Sequence, residues 1–393
     1  MHLLLLTSLL FQGIAMASRL YASSYDGKVS EMRLSKSGAN YDLNVHSTTN
    51  QCGTSPSWLM PDGQNGILYC LDEAVDLLNA TLTSFKPTSN GSLARIEQLE
   101  TLAGPVASAF YTPMQERNRQ FFAVAHYSGS AVSTYSVDPI NGLFTHSQTF
   151  TFTMSSPGPV PSRQDAAHPH DVLVDPTGRF VLVPDLGADV VRIFLINSTT
   201  GHLDEQQPLT VSPGSGPRHG VFWVPSQTGA AQIQHSRFYL VTELDNSIRG
   251  YNVRYSHNGT MLFSQSYEEN TYGGSTPPTD SKAAEIAISP ENDHLVVSNR
   301  GDSTFGPGTD SIAVFSLAGA ADNPNPSFVG LYPAYGSFPR HFQFSPDGDM
   351  LAIALQNSRK VAVAGWDREN GAIGPLLEEV VLDGDVTAVV WNL

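Results

Sequence analysis

Basic residues are scarce in this chain: 21 Lys and Arg stand against 37 Asp and Glu, a formal net charge of −16 over 393 residues. That balance excludes a general role on DNA, RNA or an anionic membrane, each of which needs a basic footprint. An anionic small molecule is still accommodated, because a few arginines gathered in one pocket reverse the field locally. Only two cysteines occur, and neither sits in a context that reads as a nucleophile. A Gly-rich phosphate loop and a Gly-x-Ser-x-Gly elbow are also missing. No carboxylate and histidine cluster has a compelling metal-ligand spacing, so no cofactor or metal is expected. Beyond the N-terminus no run is long and apolar enough for a transmembrane helix.

What is present begins with Leu3, Leu4, Leu5, Leu6, Leu9, Leu10 and Phe11, followed by Ala15-Met16-Ala17. A short apolar run ending at small residues has the form of a secretory signal peptide. The expectation is a signal over residues 1–17 and an exported, soluble chain over 18–393, with no membrane contact after cleavage. Four Asn-x-Ser/Thr sequons, at Asn79, Asn90, Asn197 and Asn258, agree with export. Cys52 and Cys70 could form one bridge in an oxidising compartment or remain two buried thiols.

The organising signal is a recurring pair of strands. His170-Asp171-Val172-Leu173-Val174 leads through Asp175-Pro176-Thr177-Gly178 to the apolar run Phe180–Val183. Proline presets φ in such a turn and glycine supplies a positive φ. Comparable second strands start near Leu20, Leu68, Phe121, Phe180, Phe238, His294 and Met350. A period of roughly 50–60 residues with about four short strands in each predicts an all-β, seven-bladed β-propeller with antiparallel four-stranded blades. The first unit lacks a first strand, and Thr387–Leu393 is a strand with nothing after it. Pairing of these N- and C-terminal strands would close the ring and remove two exposed edges. No linker composition divides the chain, so a single domain is expected.

Four motifs on this period, His168-Pro169-His170-Asp171, Gly216-Pro217-Arg218-His219, Ser298-Asn299-Arg300-Gly301-Asp302 and Pro339-Arg340-His341-Phe342, carry a resemblance. Together they are similar to the seven-bladed lactonase family, which includes 6-phosphogluconolactonase-like propellers and the fungal 3-carboxy-cis,cis-muconate lactonizing enzyme. The likeness runs from about Leu20 to Leu393. It implies a metal-independent lactonase or carboxymuconate cyclase acting on a small carboxylate or lactone. It also implies a His, two Arg and a Glu at the site, matched here by His170, Arg218, Arg300 and Glu243. The apparent export signal departs from the intracellular chemistry of those enzymes. So does Pro225–His235, which reads as an enlarged loop near the expected site.

Repeat position gives the same residues a chemical reason. His170, Arg218 and Arg340 stand at the starts of first strands, and Glu243 and Arg300 at the ends of second strands. Arg218 and Arg300 suit bidentate carboxylate binding, with Arg340 beside them. His170 and Glu243 are the candidates to move a proton. Asp185 and His126, at similar strand ends, extend the expected polar ring. The competing reading makes these residues blade-to-blade ion pairs, as Arg340 would be with Asp347 or Asp302. His219 and His341 read as packing or blade-linking residues. The contrasting functional reading is an exported propeller that binds a small ligand or protein without catalysis.

Expressed in a secretory host, the protein should emerge in the medium with Ser18 at its N-terminus and lose mass on treatment with an N-glycosidase. Retention in the cell at full length and unchanged mass would overturn the export reading.

Overall fold

Those apolar runs become the second strands of seven sheets in a computed structural model, which describes residues 18–75, 79–225, 232–256, 259–317 and 325–392. The expected signal segment and Asn258 lie outside the described residues. Each sheet has four antiparallel strands, and the seven together make the expected propeller. Second strands such as Phe180–Asp185, His294–Arg300 and Met350–Leu355 are buried along their whole length. They are covered by a blade on each face, which is why they read as continuous apolar runs instead of alternating ones. Fourth strands such as Leu203–Thr210 and Asn40–Thr49 are mostly polar and form the exposed rim.

Ring closure follows the expected pattern. The C-terminal strand Val386–Trp391 is the innermost strand of the blade that holds Ser18–Ser24, with Leu20 opposite Trp391 and Ala22 opposite Val389. A hydrophobic cluster that includes Leu20, Val361, Val363 and Trp391 then seals the last blade against the first. Aromatic side chains fill other blade interfaces. Tyr69 lies within 5.2–5.5 Å of the Phe110, Phe122 and Phe144 rings of the next blade. Such offset and edge-on pairs add to the burial of the rings themselves.

The turns work as their residues dictate. Asp175 accepts the amides of Thr177, Arg179 and Phe180 at 2.7–2.9 Å, and Gly178 has φ +68°. Ser345 and Asp347 build the corresponding turn before Met350, where Gly348 has φ +75°. Asn79, Asn90 and Asn197 are exposed. Cys52 and Cys70 are joined by a disulfide, fastening the approach to one blade onto that blade's second strand.

The two cysteines are 18 residues apart, a loop whose closure constrains the unfolded chain by about 3 kcal/mol. Replacing both with alanine should therefore lower the unfolding free energy in urea by about that amount. An unchanged midpoint and slope would show that the bridge adds nothing.

Candidate active site

The innermost strands share a defect that creates the site. Each slips register by one residue near its start: after Pro56, Pro105, Pro217, Ala283 and Pro339, and opposite Ser23–Ser24 in the closing strand. In the remaining blade Pro169 bridges Asp185, and the ladder resumes one residue out of step at Leu173 and Leu182. A β-bulge leaves its extra residue unpaired and re-aims the side chain. Six such residues, Ser57, Val106, His170, Arg218, Arg340 and Thr387, line a single narrow cavity at the axis. Five of the seven strand starts carry proline, which fits a first strand position where no ladder donor is required.

At the mouth Glu243 gathers three guanidiniums. Its Oε2 lies 2.7 Å from Arg300 Nη2 and 3.2 Å from Arg218 Nε, and its Oε1 contacts Arg163 Nη1. Glu243 is 1% exposed and Arg218 2%. Burial alone would raise the carboxyl, but Arg300, Arg163 and Arg218 outweigh it and hold Glu243 well below the usual carboxylate range. Burial and the neighbouring Arg300 draw Arg218 down to about 9, against the pull of Glu243. A carboxylate this firmly ionised is a poor proton acceptor and a good anchor for cations. Arg340 belongs to a second group, in which Nη1 donates to Tyr25 Oη at 2.7 Å and Nη2 to Glu73 Oε2 at 3.2 Å.

Beneath the arginines lies a layer of imidazoles. His170 is buried, and its Nδ1 has no hydrogen-bond partner among the described residues. Burial first, then Arg218 and His219, push its pKa well below the ordinary histidine value. Its ring meets Tyr127 edge-on at 5.7 Å and His219 at 5.2 Å. His219 Nδ1 is 2.9 Å from Glu285 Oε1, and burial with Arg218 brings this histidine to about 3. His341 Nε2 stands 3.9 Å from the other Glu285 oxygen. At neutral pH these imidazoles are unprotonated, so each keeps one ring nitrogen with a free lone pair.

The structure therefore brings His170, Arg218, Glu243 and Arg300 together, with Arg340 beside them. It corrects several expectations. Arg340 pairs with Glu73, not Asp347 or Asp302, because it stands at the mouth end of its hairpin and Asp347 in the turn at the other end. Asp185 is consumed by Arg192 of its own blade at 2.7 Å and by the His168 amide. His126 is tied to Ser133 Oγ and the Leu102 carbonyl. Neither joins the polar ring. The segment after Trp223 leaves the far end of its strand, since Pro217 opposite Thr242 marks the mouth and Trp223 opposite Arg237 the other end. Its described part is thus remote from the site. His219 and His341 link blades through Glu285, as expected, and they also line the cavity.

Arg163, Glu285, Glu73, Tyr25, Tyr127 and Trp58 escaped the sequence reading. Glu285 was findable, because it holds the place in its strand that His219 and His341 hold in theirs. Arg163 was not. It comes from a loop between blades, on a turn pinned by buried Gln164, which donates to the Leu186 carbonyl and accepts the Val160 amide. Among the described residues no cluster of His, Cys, Asp and Glu is disposed to hold a metal ion.

Comparison with known proteins adds a second line. A family model described as Lactonase, 7-bladed beta-propeller, matches residues 19–391. A protein of Arthroderma benhamiae named "Probable 6-phosphogluconolactonase" is 32% identical over 326 residues, 83% of this chain and 77% of its own. The 6-phosphogluconolactonase of Formosa agariphila is 29% identical over 329 residues, 83% of this chain and 85% of its own. Among solved structures, the periplasmic gluconolactonase PpgL of Pseudomonas aeruginosa superposes with a TM-score of 0.76 over 95% of this chain and 99% of its own. At 24% identity that likeness speaks to the fold alone.

The depressed imidazoles also set an acid response. His170, His219 and His341 all bind protons less readily folded than unfolded. The unfolded chain therefore takes up more protons below its histidine pKa of about 6.5, and stability is lost as pH falls from there towards 3. Each imidazole contributes up to about 1.4 kcal/mol per pH unit. Urea titrations between pH 7 and 4 should show this decline, shallower in His219→Gln; a flat profile would contradict it.

Proposed function

The chain belongs to the seven-bladed β-propeller lactonases, and from that membership we propose that its axial pit hydrolyses the lactone of an anionic sugar acid, 6-phosphogluconolactone being the substrate to try first. The observation that carries the reading is the juxtaposition of unpartnered, buried His170 Nδ1 with the arginines held by Glu243. In the two mouth clusters four guanidiniums meet two carboxylates, Glu243 and Glu73. That surplus would attract a phosphate or carboxylate to an otherwise acidic protein.

In this reading His170 is the general base that takes a proton from attacking water. Arg218 or Arg300 faces the carbonyl oxygen and stabilises the tetrahedral oxyanion. The remaining guanidiniums hold the anionic substituent. Glu243 orients the arginines and does not itself move the proton. Export is part of the proposal: the apolar N-terminus, the sequons and the Cys52–Cys70 bridge all suit an oxidising compartment.

The test is hydrolysis of 6-phosphogluconolactone above its spontaneous rate, with 3-carboxy-cis,cis-muconate closure measured alongside. The parent should hydrolyse the lactone, and His170→Gln should lower kcat about 100-fold or more. Arg300→Ala should raise KM and lower kcat together. Muconate closure without lactone hydrolysis would move the assignment to a cyclase. Neither activity would leave a propeller that binds a ligand without catalysis.

A further inference from the structure

The cavity below the arginines is too small for a sugar lactone. Its room for the centre of a water molecule is about 10 Å³, roughly what one water needs. Four of its lining residues carry buried nitrogens with no hydrogen-bond partner among the described residues: Trp58 Nε1, His170 Nδ1, Arg218 Nη1 and His219 Nε2. Leaving such groups unsatisfied costs about 1–3 kcal/mol each, so four around one small space call for an occupant.

Their chemistry identifies it. Trp58 Nε1 and Arg218 Nη1 can only donate. His219 Nε2 is an acceptor, because its Nδ1 faces a carboxylate. Glu285 Oε1 lies 2.9 Å from that Nδ1 and 3.1 Å from the Ile286 amide. The Val389 amide points to His341 Nδ1 at 3.4 Å, which leaves His341 Nε2 to carry a proton towards Glu285 Oε2. Burial pushes Glu285 up, while the Ile286 amide and the two imidazoles facing it favour its ionised form. His170 Nδ1 is the second acceptor when its proton sits on Nε2. Two donors and two acceptors match the two lone pairs and two hydrogens of water. A halide or phosphate oxygen would confront two bare imidazole lone pairs.

We propose that this chamber is a binding site for a single water, held between His170 and His219, and that this water is the nucleophile of the lactonase reaction. The second half rests on the lactonase reading given above. His219 is then a positioning residue, oriented by Glu285, and His170 is the base. On reaction the water gives up its hydrogen bond from Trp58 Nε1 or Arg218 Nη1, and the lone pair so freed forms a bond to the lactone carbonyl carbon while a water proton passes to His170 Nδ1. Collapse of the tetrahedral intermediate breaks the bond to the ring oxygen, which recovers that proton. One water and one lactone give one hydroxy acid. The water would meet the carbonyl already desolvated and aligned.

A high-resolution crystal structure of the mature protein should show one ordered water within hydrogen-bond distance of His170 Nδ1 and His219 Nε2. Absence of that water, or an anomalous peak there after a bromide soak, would overturn the site whether or not the protein hydrolyses lactones. Val106→Leu, which adds a methylene to the chamber wall, should expel the water and lower kcat at least 10-fold with KM within twofold. Loss of the water with kcat unchanged would overturn its role as nucleophile. Nitrogen-15 spectra of the histidines should place the His219 proton on Nδ1 and, in Glu285→Gln, show that preference weakened while the fold is kept. A parent with the water in place but no lactone activity would refute the functional reading and the nucleophile role with it, and would leave the binding site standing.

Discussion

One buried carboxylate organises the functional end of this propeller. Glu243 holds Arg163 from a loop, Arg218 from the start of its own blade's inner strand, and Arg300 from the next blade's second strand. Three guanidiniums packed this closely repel one another, and Arg218 is almost wholly removed from water. Without the anion between them the cluster would carry an uncompensated buried charge, a loss that typically costs several kcal/mol. With it, the arginines are aligned while a positive surplus remains for a substrate anion to meet.

The same field acts on the layer below. Burial and the nearby cations keep His170, His219 and His341 unprotonated, so bases persist beside arginines at neutral pH. Glu285 settles the division of labour between two of the imidazoles by facing His219 Nδ1 closely and His341 Nε2 from further away. The two carboxylates differ in what surrounds them. Glu243, surrounded by fixed cations, stays ionised; Glu285, which burial pushes up, is matched to imidazoles.

The scaffold makes this arrangement possible at little local cost. Blade interfaces are filled by apolar and aromatic side chains, so the axis need not supply the core. Each inner strand can therefore spend its first residues on a bulge that turns a side chain towards the centre. Repetition of one irregularity around the ring converts six sequence-distant residues into neighbours. The closing blade obeys the same rule with residues from both termini, and Thr387 donates to the Pro56 carbonyl of the next blade.

The blade count, the second-strand starts, the turns at Asp175 and Ser345, and the closure of the ring were all legible in the sequence. They are local or periodic: apolar runs report strands covered on both faces, and Pro, Gly and Asp report the backbone angles of turns. His170, Arg218, Glu243 and Arg300 were legible too, because they occupy repeat positions that the ring must superimpose. What only the tertiary structure decided is which of these groups touch. Asp185 and His126 looked equivalent to Glu243 by position, yet Arg192 and Ser133 of their own blades absorb them. Arg163 reaches the site from a loop with no strand register to reveal it, and Arg340 reaches past the closing blade to Glu73. Periodicity determines where a residue stands along its strand; the partner it meets depends on distances between chain segments that no local pattern encodes.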